Sequence, residues 1–249
     1  MNFLMLDALA YFSTLPSWRT TSVGAWRILN FWLKSAWVSA SIFSKSTWAL
    51  VSQLSAILQF GQVAVVIEEA EKLGYKIDEM VISGGSAGHC LAMLYAYRDA
   101  DTSPVPVRMV FGAVGPSSFY PEDWGCYGFD KNTAETNEAA AGLFSVMAGK
   151  EITADLFGTP AYDEAMKDIS ALLWVNDNTV PSLMAYGKHD KIQAFEASVR
   201  LDEALTAHNI PHDYIVLEHS GHGLQNDNKE FHEYYQKIEE YLDKYLPVK

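Results

Sequence analysis

Glu79-Met80-Val81-Ile82-Ser83-Gly84-Gly85-Ser86-Ala87-Gly88-His89 carries a short, mostly apolar run into a glycine-rich turn, and Cys90 to Arg98 continues it as a helical pattern. An apolar run without alternation suits a strand buried on both faces. Strand, tight turn and helix therefore follow one another. Ser86 occupies the centre of a G-x-S-x-G pattern, where flanking glycines permit the sharp backbone that lifts a hydroxyl above a sheet. The helix that follows aims its N-terminal amides at the same place, where they can stabilise negative charge developing on a substrate oxygen. No Lys-Ser/Thr pair follows the glycines, so the turn does not read as a phosphate-binding P-loop.

The pattern extends in both directions. Before the turn, Val63, Val66, Ile67, Ala70 and Leu73 recur at spacings of three and four among Glu68, Glu69, Glu71 and Lys72, and Gly74 stands where a helix ends. After it, Val107 to Val114, Ser182 to Tyr186 and Tyr214 to Leu217 read as further strands, with helix patterns over Ala194 to His208 and Phe231 to Leu246. Strands alternating with helices predict an α/β fold, a mainly parallel sheet with helices on both faces. The stretch 117–180 interrupts that alternation with an aromatic loop and two helical stretches, Glu135 to Met147 and Tyr162 to Leu173. Leaving from the carboxyl edge of the strands, it reads either as a helical cap insertion over a site or as extra helices packed on the sheet.

A serine hydroxyl needs a base to take its proton, and the base needs an orienting partner. Asp190 follows one strand in Gly187-Lys188-His189-Asp190, and His222 follows the next in Gly221-His222-Gly223. Parallel strands bring these loop ends to one edge of the sheet, so Ser86, Asp190 and His222 can converge. Taken singly, each has a plain reading: Ser86 as a helix cap, Asp190 as a turn former, His222 as a polar loop residue. Their occurrence at successive strand ends favours a catalytic triad. His219, at a strand end without flanking glycines, is the weaker candidate base. His208 and His212 have metal-ligand spacing, but Pro211 breaks the helix they would need, and no metal is expected.

The whole chain of 249 residues has a formal charge of −13, which opposes a broad grip on nucleic acid or anionic lipid and favours a small-molecule partner. Cys90 and Cys126 form no disulfide framework, and a reducing, cytoplasmic location is the expectation. Residues 1–60 differ from the rest. They hold Asp7, Arg19, Arg27, Lys34 and Lys45 as their only charged side chains, and five of the seven tryptophans. Met1 to Leu6 carries no basic residue, so a secretory leader is not expected. Ser46 to Ile67 is uncharged but diluted by serine, threonine and glutamine, and reads as buried structure in preference to a membrane span.

From about residue 59 onward, the chain resembles the α/β-hydrolase superfamily, in particular bacterial carboxylesterases and feruloyl- or acetylxylan-esterase-like members related to the prolyl oligopeptidase hydrolase domain. The resemblance rests on Gly84-Gly85-Ser86-Ala87-Gly88, Tyr186-Gly187-Lys188-His189-Asp190 and Glu218-His219-Ser220-Gly221-His222-Gly223. It implies an α/β-hydrolase fold over 59–249, with Ser86 as nucleophile, Asp190 as acid and His222 as base. Relatives usually place a His-Gly-Gly motif after an early strand to complete the oxyanion hole. Here the nearest match is Ser22-Val23-Gly24-Ala25-Trp26, which lacks the His and the first Gly. Residues 1–58 therefore read as an atypical apolar segment, a divergent or incomplete first half-sheet.

The expected chemistry is hydrolysis of a small carboxylic ester through an acyl-enzyme, without an organic cofactor. The Ala87 amide, with Gly24 or Ala25, would hold the oxyanion. Gly85 and His89 at the turn, and Trp124 and Tyr127 in the insertion, are the expected substrate contacts, with packing as the competing role for the aromatics. Amidase and thioesterase chemistry would use the same triad. The rival expectations are a catalytically impaired hydrolase-like protein lacking part of its oxyanion hole and a protein anchored to a membrane or partner through its apolar start. The sequence leaves the oligomeric state open.

Overall fold

The computed structural model describes residues 9–12, 63–74 and 76–247. In chain order these form β1 (Leu9–Phe12), α1 (residues 63–72), β2 (Met80–Gly85), α2 (Ala87–Arg98), β3 (Val107–Ala113), α3 (Ala134–Ala148), α4 (Pro160–Met166), β4 (Ser182–Gly187), α5 (Phe195–Ala207), β5 (His212–Leu217) and α6 (Asn228–Tyr245). The strands lie side by side in the order β1-β2-β3-β4-β5. β1 runs antiparallel to β2, and the other three pairings are parallel. Four parallel strands thus end along one edge, which is the edge where Ser86, Asp190 and His222 emerge.

Burial explains the sequence pattern. All six residues of β4 are buried, as are Met80 to Ser83 of β2, so neither strand has a polar face to alternate. Helix α2 packs against β2 and β3. Nine of its twelve residues are buried, which accounts for its apolar character all round. Leu183, Met184, Leu201 and Leu217 are fully buried around the sheet, each stabilising the fold by roughly 1.5–3 kcal/mol relative to exposure. In α1 the inward residues are Val63, Val66 and Ala70. Leu73, expected on that apolar face, is 59% exposed because the helix has already ended before Gly74 turns the chain at φ +85°.

Between β3 and β4 the chain builds a second core from Phe119, Trp124, Phe129, Phe144, Tyr162 and Met166, with Ala194 and Ala197 packed into it. The insertion is therefore seated on the start of α5. Ser117 Oγ donates to the Ala197 carbonyl at 3.0 Å, and Arg200 grips both carboxylate oxygens of Asp123 at 2.6 and 2.7 Å. Helix α3 begins at a reciprocal Thr133/Thr136 capping box and ends at Gly149, φ +68°. The helix expected over Tyr162 to Leu173 is interrupted. Its α-helical part stops at Met166, and Ala171–Trp174 forms a 3₁₀ turn. The Ser117 carbonyl accepts from both Ser170 Oγ and the Leu172 amide, so a tertiary contact has taken the backbone out of helical register. Among the described residues, no helix is long and apolar enough to cross a membrane.

Candidate active site

The turn after β2 is built by close approach. A Cβ on Gly84 would overlap the backbone of Gly88, so only glycine lets the strand end press against the first turn of α2. Gly85 differs: among the described residues, a Cβ there would meet nothing within 4 Å. Ser86 sits at φ 56°, ψ −127°, a conformation that costs a non-glycine residue on the order of 1–3 kcal/mol. Three hydrogen bonds hold it there: Ser86 N to Ala113 O at 2.9 Å, His89 N to Ser86 O at 2.9 Å, and Cys90 N to Ser86 O at 3.2 Å. Ala87 is the first residue of α2, where a backbone amide has no acceptor within the helix.

The loops after β4 and β5 bring the other two groups to this serine. A Cβ on Gly187 would collide with the Gly221 and Ser220 carbonyls, so glycine at the end of β4 lets the next loop cross close above it. His189 N donates to Ser220 O at 2.9 Å and fastens the two loops together. Asp190 then turns back on itself: its Oδ1 accepts from the Ile192 and Gln193 amides at 2.8 and 3.0 Å. Its Oδ2 lies 2.7 Å from His222 Nδ1, and His222 Nε2 lies 2.8 Å from Ser86 Oγ. A carboxylate only accepts, so Nδ1 carries the proton and Nε2 is left to accept from the serine hydroxyl. Both side chains are shielded, Asp190 at 1% and His222 at 9% exposure. Such a relay can move a proton off Ser86 and back without rearrangement of heavy atoms.

Two expected substrate contacts fall elsewhere. His89 is fully buried beneath the turn, its ring against Gly112 and Gly115, where missing side chains make room for it, and 5.9 Å from the Tyr186 ring. Among the described residues no well-formed hydrogen bond reaches either ring nitrogen, and burial, opposed by a smaller contribution from the Ala113 backbone, pushes its pKa down to about 3. It is a neutral packing residue, not a rim contact. Trp124 is also buried, stacked on Phe119 and edge-on to Phe144, with Nε1 donating to Ser118 O at 3.0 Å. It belongs to the core of the insertion. Tyr127 is 45% exposed, and its hydroxyl donates to Ile192 O at 3.2 Å, which places it beside the Asp190 loop. Gly24 and Ala25 lie outside the described residues, as does nearly all of the segment 1–58.

His219 points away from the relay: its Nδ1 lies 2.7 Å from Asp227 Oδ1 and its side chain is 79% exposed. His208 and His212 sit on different elements and pair with Asp177 and Asp202. Asp227, which the sequence does not single out, is 6% exposed and accepts from Ser220 Oγ and from the His219 backbone. An aspartate just before a helix reads as an N-cap, and that reading hides its role, because its side chain makes no capping bond to α6. A cavity of about 470 Å³ lies at the other end of α2, lined by Tyr97, Arg98, Asn176 and His208 among others, away from Ser86.

A family model described as BD-FAE matches residues 49–205, which include Ser86 and Asp190. Comparison with curated proteins returned no match. Among solved structures, a puromycin-hydrolyzing peptidase from Mycobacterium tuberculosis is 19% identical with a TM-score of 0.46, over 68% of this chain and 22% of that one. A thermophilic esterase from the Planctomycetes species Thermogutta terrifontis is 18% identical with a TM-score of 0.46, over 68% of this chain and 55% of that one. An acetyl ester-xyloside bifunctional hydrolase from Caldicellulosiruptor lactoaceticus is 18% identical with a TM-score of 0.45, over 67% of this chain and 57% of that one. The chain thus spans between about a fifth and just over half of the length of these structures.

Proposed function

We propose that this chain, which belongs to the BD-FAE family of α/β-hydrolases, is a serine hydrolase that cleaves small acetyl or aryl carboxylic esters through an acyl-enzyme. The observation that carries the reading is the continuous relay from Ser86 Oγ through His222 to the Asp190 carboxylate, at 2.8 and 2.7 Å. Ser86 Oγ attacks the ester carbonyl carbon while His222 Nε2 takes its proton, and Asp190 holds the imidazole and stabilises its positive charge. The Ala87 amide receives the oxyanion. Collapse of the tetrahedral species expels the alcohol, which leaves with the proton from His222. Water then enters, gives its proton to His222 and releases the acid from Ser86 by the same path.

The half-exposed ring of Tyr127 beside the Asp190 loop, and Gly85 with no described residue against it, support a shallow apolar lip for the substrate. The partner is a small-molecule ester, and the charge of −13 disfavours nucleic acid. Two unpaired cysteines support a reducing, cytoplasmic setting. The reaction uses side chains and backbone alone, with no organic cofactor. The test is hydrolysis of p-nitrophenyl acetate and butyrate by the wild type and by a Ser86→Ala variant matched for circular dichroism. Turnover in the wild type, reduced at least about a thousandfold in the variant, is the expected result. Equal inertness of the two folded proteins overturns the reading in favour of an impaired hydrolase.

A further inference from the structure

Residues 218–227, which carry His222 between β5 and α6, contain neither helix nor strand. They include Leu224 at φ 52°. A loop of this kind holds a side chain to a fraction of an ångström only where specific bonds replace the regular ladder. Here those bonds converge on one buried carboxylate. Asp227 Oδ2 accepts the Ser220 hydroxyl at 2.6 Å and the His219 amide at 3.0 Å, and Oδ1 meets His219 Nδ1 at 2.7 Å. The Ser220 oxygen in turn accepts from the Asn226 amide at 3.0 Å, and Asn226 Nδ2 donates to the His219 carbonyl at 2.7 Å. Ser220 is fully buried, and its own carbonyl accepts from His189 N next to Asp190. The carboxylate is thus tied, through Ser220, to both loops that meet at the relay.

Asp227 occupies the N-cap position of α6 yet makes no side-chain cap. Its acceptor capacity is turned wholly towards the loop. Burial raises its pKa, and the bonds from Ser220 and His219 outweigh that effect and leave it below the usual carboxylate range. We propose that Asp227 is a positioning residue for His222, a second carboxylate that fixes the loop so that Nε2 meets Ser86 Oγ and Nδ1 meets Asp190. The proposal rests on the assignment of His222 as the base. It is distinct from the relay itself, because Asp227 touches no atom of it.

The test uses the full chain with Asp227→Ala, Asp227→Asn and Ser220→Ala. Two quantities are read: kcat and KM on p-nitrophenyl acetate, and the proton resonance of His222 Nδ1–H, identified by its loss in His222→Gln. Asp227→Ala is expected to lower kcat by about tenfold to a hundredfold with KM held within about twofold, and to broaden the resonance. Asp227→Asn, whose amide oxygen can still accept from Ser220 and the His219 backbone, recovers kcat to within about threefold of wild type. Should Asp227→Ala fail to fold, Ser220→Ala deletes two bonds of the set, those to Asp227 Oδ2 and from the Asn226 amide, and the same fall in kcat with a broadened resonance is expected. Wild-type kcat with a sharp resonance in the folded variant, or a loss confined to KM, overturns the proposal. A resonance that responds to Asp227→Ala in a wild type without esterase activity leaves the positioning role standing and removes the ester reading. A resonance that does not respond removes the positioning role.

Discussion

Ser86 and His89 lie three residues apart, and they show how differently neighbouring polar side chains are used. Ser86 is held in a costly backbone conformation by its own amide, by α2 and by the absence of a side chain at Gly84. His89 is enclosed by Gly112, Gly115 and Tyr186 with no well-formed hydrogen bond to either nitrogen among the described residues, a cost of about 1–3 kcal/mol that packing must offset. Its pKa falls from 6.5 to about 3 on folding. A base whose folded pKa is depressed binds a proton more readily in the unfolded chain, so its contribution to stability is complete above about pH 6.5 and is lost as pH falls towards 3. Denaturant unfolding at pH 7 and pH 5 should therefore show a loss of stability that shrinks in His89→Leu. An equal loss in the two proteins would contradict the buried neutral assignment.

At the level of elements, the decisive contact is between the insertion and α5. Arg200 on α5 holds Asp123 through two bonds, reaches Glu122 at 3.3 Å and lies over the Tyr120 ring. Asp123 is only 8% exposed, whereas Arg200 is 37% exposed. Removing the arginine leaves a mostly buried carboxylate without its counter-charge and with the Ser118 hydroxyl still donating to it at 3.1 Å, and partial exposure of the pair reduces the cost from that of a fully buried bridge. Arg200→Ala is expected to destabilise the protein by about 1–2 kcal/mol, read from the denaturant midpoint. Because the insertion also carries Tyr127 to the Asp190 loop, KM for a butyrate ester should rise in the same variant while the Ser86–His222–Asp190 geometry persists. An unchanged midpoint would show that the second core holds the insertion without this link.

For the molecule as a whole, the parts legible in the sequence are those set by local chemistry. Strands buried on both faces must be apolar runs, and the residues that leave them must turn, so β2 and β4 stand out, as does the apolar second half of the half-buried β5, with the three loop residues at their ends. What stays hidden depends on partners distant along the chain. The enclosure of His89 is made by Gly112, Gly115 and Tyr186, and the burial of Trp124 by Phe119 and Phe144. The break after Met166 comes from the Ser117 carbonyl, and the turn of Asp227 towards Ser220 from the buried Ser220 hydroxyl within an otherwise largely exposed loop. Aromatic residues near a turn look alike whether they line a pocket or fill a core, and only packing separates Tyr127 from Trp124. The central claim is that the assembled relay makes Ser86 a nucleophile. Its most direct measurement is mass spectrometry of the protein quenched in acid during turnover of p-nitrophenyl acetate. The account predicts one added acetyl group per chain, located on the peptide containing Ser86 and absent in Ser86→Ala and His222→Gln. Acetylation elsewhere, or equally on Ser86 in the His222 variant, would contradict it.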